Sequence, residues 1–167
     1  MPLTASPKNA AWYCWHASRN QIMVEQVWNK YGAFVHQTII WAKTRPVLTY
    51  SVYTWAHEPC FFGWIKGSKP NVNRYNQTPT VWNLSSATFK ETNHPTSKPV
   101  ECFGIPIEMH TRRAEICYEP FAGSGSQLVA GEQLGRIVYA CEIAPPYVGV
   151  CLERMVETLG LEPKLIT

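Results

Sequence analysis

Between residues 114 and 141 the chain runs apolar stretch, Gly-x-Gly turn, helical stretch, second apolar stretch. The turn reads Glu119-Pro120-Phe121-Ala122-Gly123-Ser124-Gly125-Ser126. Gly123 and Gly125 let the backbone bend sharply and admit a ligand where a Cβ would otherwise stand. A helix opening directly after such a turn offers unpaired N–H groups and the positive end of its dipole, which suits a carboxylate or phosphate. Glu142 follows at the tip of the second apolar stretch. Nucleotide-type folds place an acid there to accept from ribose hydroxyls. Leu128 stands where a third Gly would be, so the dinucleotide spacing G-x-G-x-x-G is not met. That argues against NAD and leaves adenosine-bearing ligands of another geometry. An ordinary tight turn with a surface Glu is the plainer alternative.

The same alternation extends along the chain. Trp12–Trp15 suits a short buried strand. Ser18 and Gln21 make a capping box for a helix over roughly 19–31, with Met23, Val27 and Tyr31 on one face and Gly32 as its stop. Strands are expected over Phe34–Lys43, stopping before Pro46, and over His57–Trp64. Pro59 makes the latter an edge, or delays its pairing until after the proline. Residues 66–97 are polar, with one strand candidate at Thr80–Leu84. A helix begins near Pro99 and is interrupted by Gly104 and Pro106. Strands follow at Ala114–Tyr118 and Ile137–Cys141, and helices at 126–134 and 146–159, closed by Gly135 and Gly160. Alternation of this kind predicts an α/β fold with a mostly parallel sheet and helices on both faces.

Composition narrows the chemistry. All 12 acids are Glu and no Asp is present, which excludes aspartic dyads, EF-hand loops and any Asp of a triad. Charged residues are 16% of the chain, below the roughly 25% of typical soluble domains. Residues 1–90 hold nine Lys/Arg against two Glu, and residues 91–167 hold six against ten. The basic part also carries 16 of the 21 aromatic rings and all seven Trp. A basic, aromatic segment suits nucleic acid, and equally a Trp-rich core with Lys at its rim. The six Cys form no C-x-x-C pair and no zinc spacing. They read as buried, reduced thiols of a cytoplasmic protein. No metal is expected, and no stretch approaches the ~20 apolar residues of a membrane span.

From His94 to Leu159 the sequence resembles the cofactor half of a DNA amino-methyltransferase of the β class, the enzymes that methylate adenine N6 or cytosine N4. His94-Pro95-Thr96-Ser97-Lys98-Pro99 resembles that family's H-P-T-x-K-P element, and Glu119–Ser126 resembles its D-P-F-x-G-S-G-T loop. The order of the two elements is the permuted order of the class. Trp15–Ser18, Ile40–Thr44 and His57–Gly63 resemble its strands and substrate-side loops. The resemblance implies a Rossmann-like, S-adenosylmethionine-dependent fold in one domain. Residues 1–65 would form its substrate-side half, 66–93 a target-recognition segment and 94–167 its cofactor half. It implies S-adenosylmethionine held by Thr96, Lys98, Glu119, Phe121, Gly123, Ser124, Gly125 and Glu142. It implies double-stranded DNA as partner, with Lys66, Lys69 and Arg74 as contacts, and adenine favoured from the His57-Glu58-Pro59 neighbourhood.

Three departures stand out. Position 119 is Glu where the family prefers Asp, and Gly104 and Pro106 fall in a helix that is normally continuous. The catalytic D-P-P-Y tetrapeptide is not found, so no catalytic residue is assigned. Its place would precede Trp12 by a strand and a helix, which implies an incomplete chain, a homodimer or a complementing methyltransferase chain. Ala144-Pro145-Pro146-Tyr147 mimics the motif, but Ala144 cannot accept from an amino group, and its position fits the start of the following helix. A decayed methyltransferase that binds DNA, cofactor or a partner subunit, and a methyltransferase acting on another substrate such as RNA, are the competing expectations.

Overall fold

The computed structural model describes residues 7, 9–47, 50, 52–73, 78–85 and 97–166. Within these, no helix is long and apolar enough to cross a membrane. The chain divides into two compact units, Met1–Ser85 and Ser86–Thr167, each described by itself.

The first unit is a four-stranded sheet with one helix. Its strands are β1 (Trp12–Trp15), β2 (Ala33–Val47), β3 (Trp55–Ile65) and β4 (Val81–Leu84), and its helix is α1 (Gln21–Lys30). The order across the sheet is β1-β3-β2-β4. β3 pairs antiparallel with both β1 and β2, and β4 runs parallel to β2. Only residues 48–54 separate β2 from β3, too few for the crossover that a parallel pair needs. The α/β class is as expected, but the pairing is more mixed than a mostly parallel sheet.

Pro59 lies inside this sheet rather than at its edge. Its carbonyl accepts from the His16 N–H at 3.2 Å, and the bond that a return N–H would make is missing. That gap falls one residue past Trp15, where the β1 ladder ends at Cys60. Toward β2 the pairing passes straight through Pro59, which faces Ile40. The β1 ladder stops at Cys60, but pairing with β2 runs through Pro59 back to Trp55, so β3 is neither an edge strand nor one that pairs only after its proline. β2 likewise runs on through Pro46 to Val47 instead of stopping before it.

The capping box is not formed. A 3₁₀ turn at Ser18–Asn20 leads into α1, and no side chain caps either element. The Asn20 N–H donates to the Ala17 carbonyl at 2.8 Å, so backbone supplies the entry bond. The face of α1 is also corrected. Met23, Val27 and Tyr31 are exposed, while Trp28 is buried with Ala33 and Phe61, and Val24 packs against them. The indole of Trp28 is the larger apolar group, and burying it turns the 23/27/31 face outward.

The second unit holds β5 (Ile116–Glu119) and β6 (Ile137–Ala140), paired in parallel, with helices α2 (Glu101–His110), α3 (Ser126–Gln133) and α4 (Pro145–Leu159). Cys117 and Val138 face a cluster with Ile107, Ala130, Phe103 and Leu134 from α2 and α3. The opposite face carries Ile116, Tyr118, Ile137 and Tyr139, all exposed. α2 is continuous through Gly104 and Pro106, contrary to the expected interruption. Cys102 and Ile107, one to either side of the two breakers, are both buried, and that packing outweighs the bond to the Cys102 carbonyl that Pro106 cannot make. Of the six cysteines, Cys60, Cys102, Cys117 and Cys151 are buried, Cys14 is half-buried and Cys141 is exposed. Cys141 corrects the expectation of uniform burial, because it follows the last residue of β6 and lies beyond the packed stretch.

Candidate functional site

The Gly-x-Gly turn sits between β5 and α3, as its pattern implies. Gly123 and Gly125 have φ of +53° and +76°, values that L side chains adopt only with strain. At Gly125 a Cβ would stand 3.2 Å from the Cys151 sulfur, so α4 lies tight against the turn. The Ala122 N–H donates to the Cys141 carbonyl at 2.9 Å, and the Gly125 N–H closes back on Ala122 at 2.8 Å.

Glu142 organises the far side. Its two oxygens accept from the Gly123 N–H at 2.8 Å and the Ala144 N–H at 2.9 Å. One carboxylate thus joins the turn after β5 to the N-terminus of α4. Glu119 accepts from the Phe121 N–H at 2.8 Å. Burial raises the Glu119 carboxyl above the ordinary range, opposed by the Phe121 amide and by Lys98, and reinforced by the charge of Glu142. Phe121 is 84% exposed beside this pair of carboxylates.

The segment before α2 is tied to the same turn. Ser97 Oγ and Ser124 Oγ lie 2.8 Å apart, and Ser126 Oγ donates to the Lys98 carbonyl at 2.7 Å. Lys98, Glu119, Phe121, Gly123, Ser124, Gly125 and Glu142 therefore gather in one place. Thr96 lies outside the described residues. Lys66 and Lys69 are exposed just after β3 in the first unit, and Arg74 lies outside the described residues. In that unit Glu58 is joined to Lys43 at 2.7 Å, and the Lys43 ammonium sits 5.1 Å from the Trp41 ring centroid.

Two residues of α4 belong to the site without having been singled out from sequence. Cys151 donates its thiol to the Gly123 carbonyl at 3.0 Å. Arg154 Nη1 reaches the Ser124 carbonyl at 3.1 Å, Ser126 Oγ at 3.0 Å and Ser124 Oγ at 3.4 Å. Burial lowers the Arg154 guanidinium and raises the Cys151 thiol. Their i, i+3 spacing and the fact that Arg154 is the single cation of α4 were the available signals. Ala144 is the N-cap of α4 and Pro145 begins it, so Ala144-Pro145-Pro146-Tyr147 starts a helix. Among the described residues no three His, Cys, Asp or Glu side chains gather as a metal site.

Residues 8–153 match the N6/N4 DNA methylase family. The chain belongs to that family.

Among its relatives, the type II methyltransferase M.HinfI of Haemophilus influenzae is 27% identical over 156 residues, covering 75% of this chain and 43% of that protein. The type II methyltransferase M2.LlaDCHI of Lactococcus lactis subsp. cremoris is 26% identical, over 74% of this chain and 52% of its own length. This DNA methylase family member thus spans about half the length of these curated relatives. Its fold is similar to that of M1.HpyAVI solved in complex with SAM, at TM-score 0.78, 22% identity, 89% of this chain and 76% of that one. It is also similar to the cytosine-N4-specific PvuII DNA methyltransferase, at TM-score 0.75, 14% identity, 88% of this chain and 64% of that one.

Proposed function

We propose that this DNA methylase family member binds S-adenosylmethionine at the Gly123–Ser126 turn and serves the transfer of its methyl group to an exocyclic amine of double-stranded DNA, adenine N6 favoured. The observation that carries the reading is Glu142. Its carboxylate fixes the turn after β5 and the start of α4 from the strand tip at which nucleotide-type folds place an acid for ribose hydroxyls.

The residues fit the cofactor. The turn is a cradle made of backbone, because at Gly123 and Gly125 the positive φ disfavours a Cβ. Glu119 and Lys98 would meet the charged methionine end, Thr96 lies in the same segment, and exposed Phe121 offers an apolar ring beside them. S-adenosylmethionine, when bound, supplies an electrophilic methyl on a sulfonium. The chain's own contribution is to hold and orient: the carboxylates accept, and the turn sets distance to the target amine. Lys66, Lys69 and Arg74 would contact DNA phosphates. The mostly buried cysteines suit the cytoplasm, and the type II names of the relatives suit restriction-modification.

A second reading is favoured by a specific observation. An exocyclic base amine is a weak nucleophile, and acceptors must draw on its hydrogens for transfer. The residues here include no Asp, and the one tetrapeptide resembling the catalytic motif is the first turn of α4. On this reading the chain binds cofactor or DNA and needs a complementing methyltransferase chain, or a second copy, for turnover.

The test is transfer of labelled methyl from S-adenosylmethionine to mixed-sequence DNA, followed by nucleoside analysis. Labelled N6-methyladenine is the expected product, and N4-methylcytosine would correct the base. Absence of transfer with cofactor binding intact by calorimetry would establish the second reading. Absence of binding to both S-adenosylmethionine and DNA would refute both.

A further inference from the structure

We propose that Arg154 is a positioning residue that fixes the ligand-facing shape of the Gly123–Ser126 turn and locks it to the Lys98 segment. The inference rests on the reading of this turn as the cofactor cradle.

The argument starts from peptide geometry. In a planar trans peptide the carbonyl and the following N–H point in opposite directions. The Gly123 carbonyl is held toward α4 by Cys151, so the Ser124 N–H is aimed away from α4. The Ser124 carbonyl is held the same way by Arg154. Two successive carbonyls of a glycine-rich turn are thus pinned to one helix. Such a turn has many accessible conformations, and the two bonds from α4 select one of them.

The guanidinium does a second thing. It donates to Ser126 Oγ, whose own proton goes to the Lys98 carbonyl. A continuous chain therefore runs from the Lys98 carbonyl through Ser126 and Arg154 to Ser124, and Ser124 Oγ contacts Ser97. The residues before α2 and the turn after β5 are far apart in sequence, and Arg154 sets their spacing. A charged donor in a partly desolvated place makes stronger bonds than a neutral one. All three contacts come from one nitrogen, so a lysine amine, with three donors, can replace part of the network. A methionine of similar length keeps the packing and removes every donor.

The experiment compares the full chain with Arg154→Met and Arg154→Lys. Hydrogen exchange is read peptide by peptide without ligand, and S-adenosylmethionine affinity is read by calorimetry. Exchange across 122–127 should accelerate in Arg154→Met while β5 and β6 keep their protection, and Arg154→Lys should recover most of it. Cofactor affinity should fall about ten-fold or more in Arg154→Met, the loss expected for a charged hydrogen bond, and be largely restored in Arg154→Lys. Unchanged exchange in the turn, or uniform acceleration through β5 and β6, would overturn the proposal. If the wild-type chain binds no S-adenosylmethionine and the turn alone loosens in Arg154→Met, the positioning role stands and the cofactor reading fails.

Discussion

Replacing Gly125 by Ala separates two costs that the turn imposes. The residue sits at φ +76°, and a built Cβ lies 3.2 Å from the Cys151 sulfur and 3.4 Å from its Cα. Left-handed backbone costs an L residue about 1–2 kcal/mol. The contact distances need the neighbour to yield by only a few tenths of an ångström, which adds less. The φ cost therefore dominates, and a loss of about 1–2 kcal/mol lowers the melting temperature of a chain this size by about 2–8 °C. Gly123→Ala is the internal control, since φ is +53° there and the nearest atom is 4.0 Å away. It should cost slightly less than Gly125→Ala. Adding Cys151→Ala to Gly125→Ala removes the 3.2 Å contact and should recover under half of the loss. Thermal melts by circular dichroism, with the Cys151→Ala single variant as reference, read all four. Both glycine variants melting within a degree of wild type would refute the backbone argument. Full recovery on adding Cys151→Ala would show that crowding, not φ, was the cost.

Three further outcomes are expected. Gly63→Ala places a Cβ 2.0 Å from the Phe34 carbonyl and 2.9 Å from the Trp28 ring, so it should cost about 3 kcal/mol or more and abolish the near-ultraviolet Trp signal. Glu142→Gln leaves one of the Gly123 and Ala144 amides without an acceptor, so cofactor affinity and melting temperature should both fall, by about 1–3 kcal/mol in stability. Glu119 is raised by burial, so its contribution to stability is present at acid pH and lost as pH rises through its folded value. Glu119→Gln, which keeps the acceptor for Phe121, should therefore raise the melting temperature at pH 8 and change it little at pH 4.

Much of the candidate site was legible because its residues are close in sequence. Gly123, Gly125 and Glu142 announce themselves by backbone freedom and by position after an apolar run, and the structure joins Gly123 to Glu142 at 2.8 Å. Arg154 carries only weak local signals, its spacing from Cys151 and its being the single cation of α4, because its partners lie some thirty residues away. The same contrast holds for the fold. β1, β5 and β6 follow from short apolar runs bounded by breakers. The length of β2 and the continuity of α2 do not: β2 runs exposed through Pro46, across a register irregularity, to pair Val47 with Trp55, and the burial of Cys102 and Ile107 carries α2 past Pro106. The face of α1 was misread because Trp28 lies between the spaced positions 23, 27 and 31.

Pro59 bears on how the first unit avoids mispairing. β3 is one of the two inner strands, and a slip by two residues against β1 would keep every side chain on its proper face. Hydrophobic patterning alone cannot forbid that slip. Sliding β1 further along β3 would draw Pro59 into the ladder, where the pairing needs an N–H it does not have. The ring thus acts as a stop that counts residues where side-chain chemistry is blind to the count. It sets where the Trp15-His16-Ala17-Ser18 stretch leaves the sheet, and so where α1 can begin.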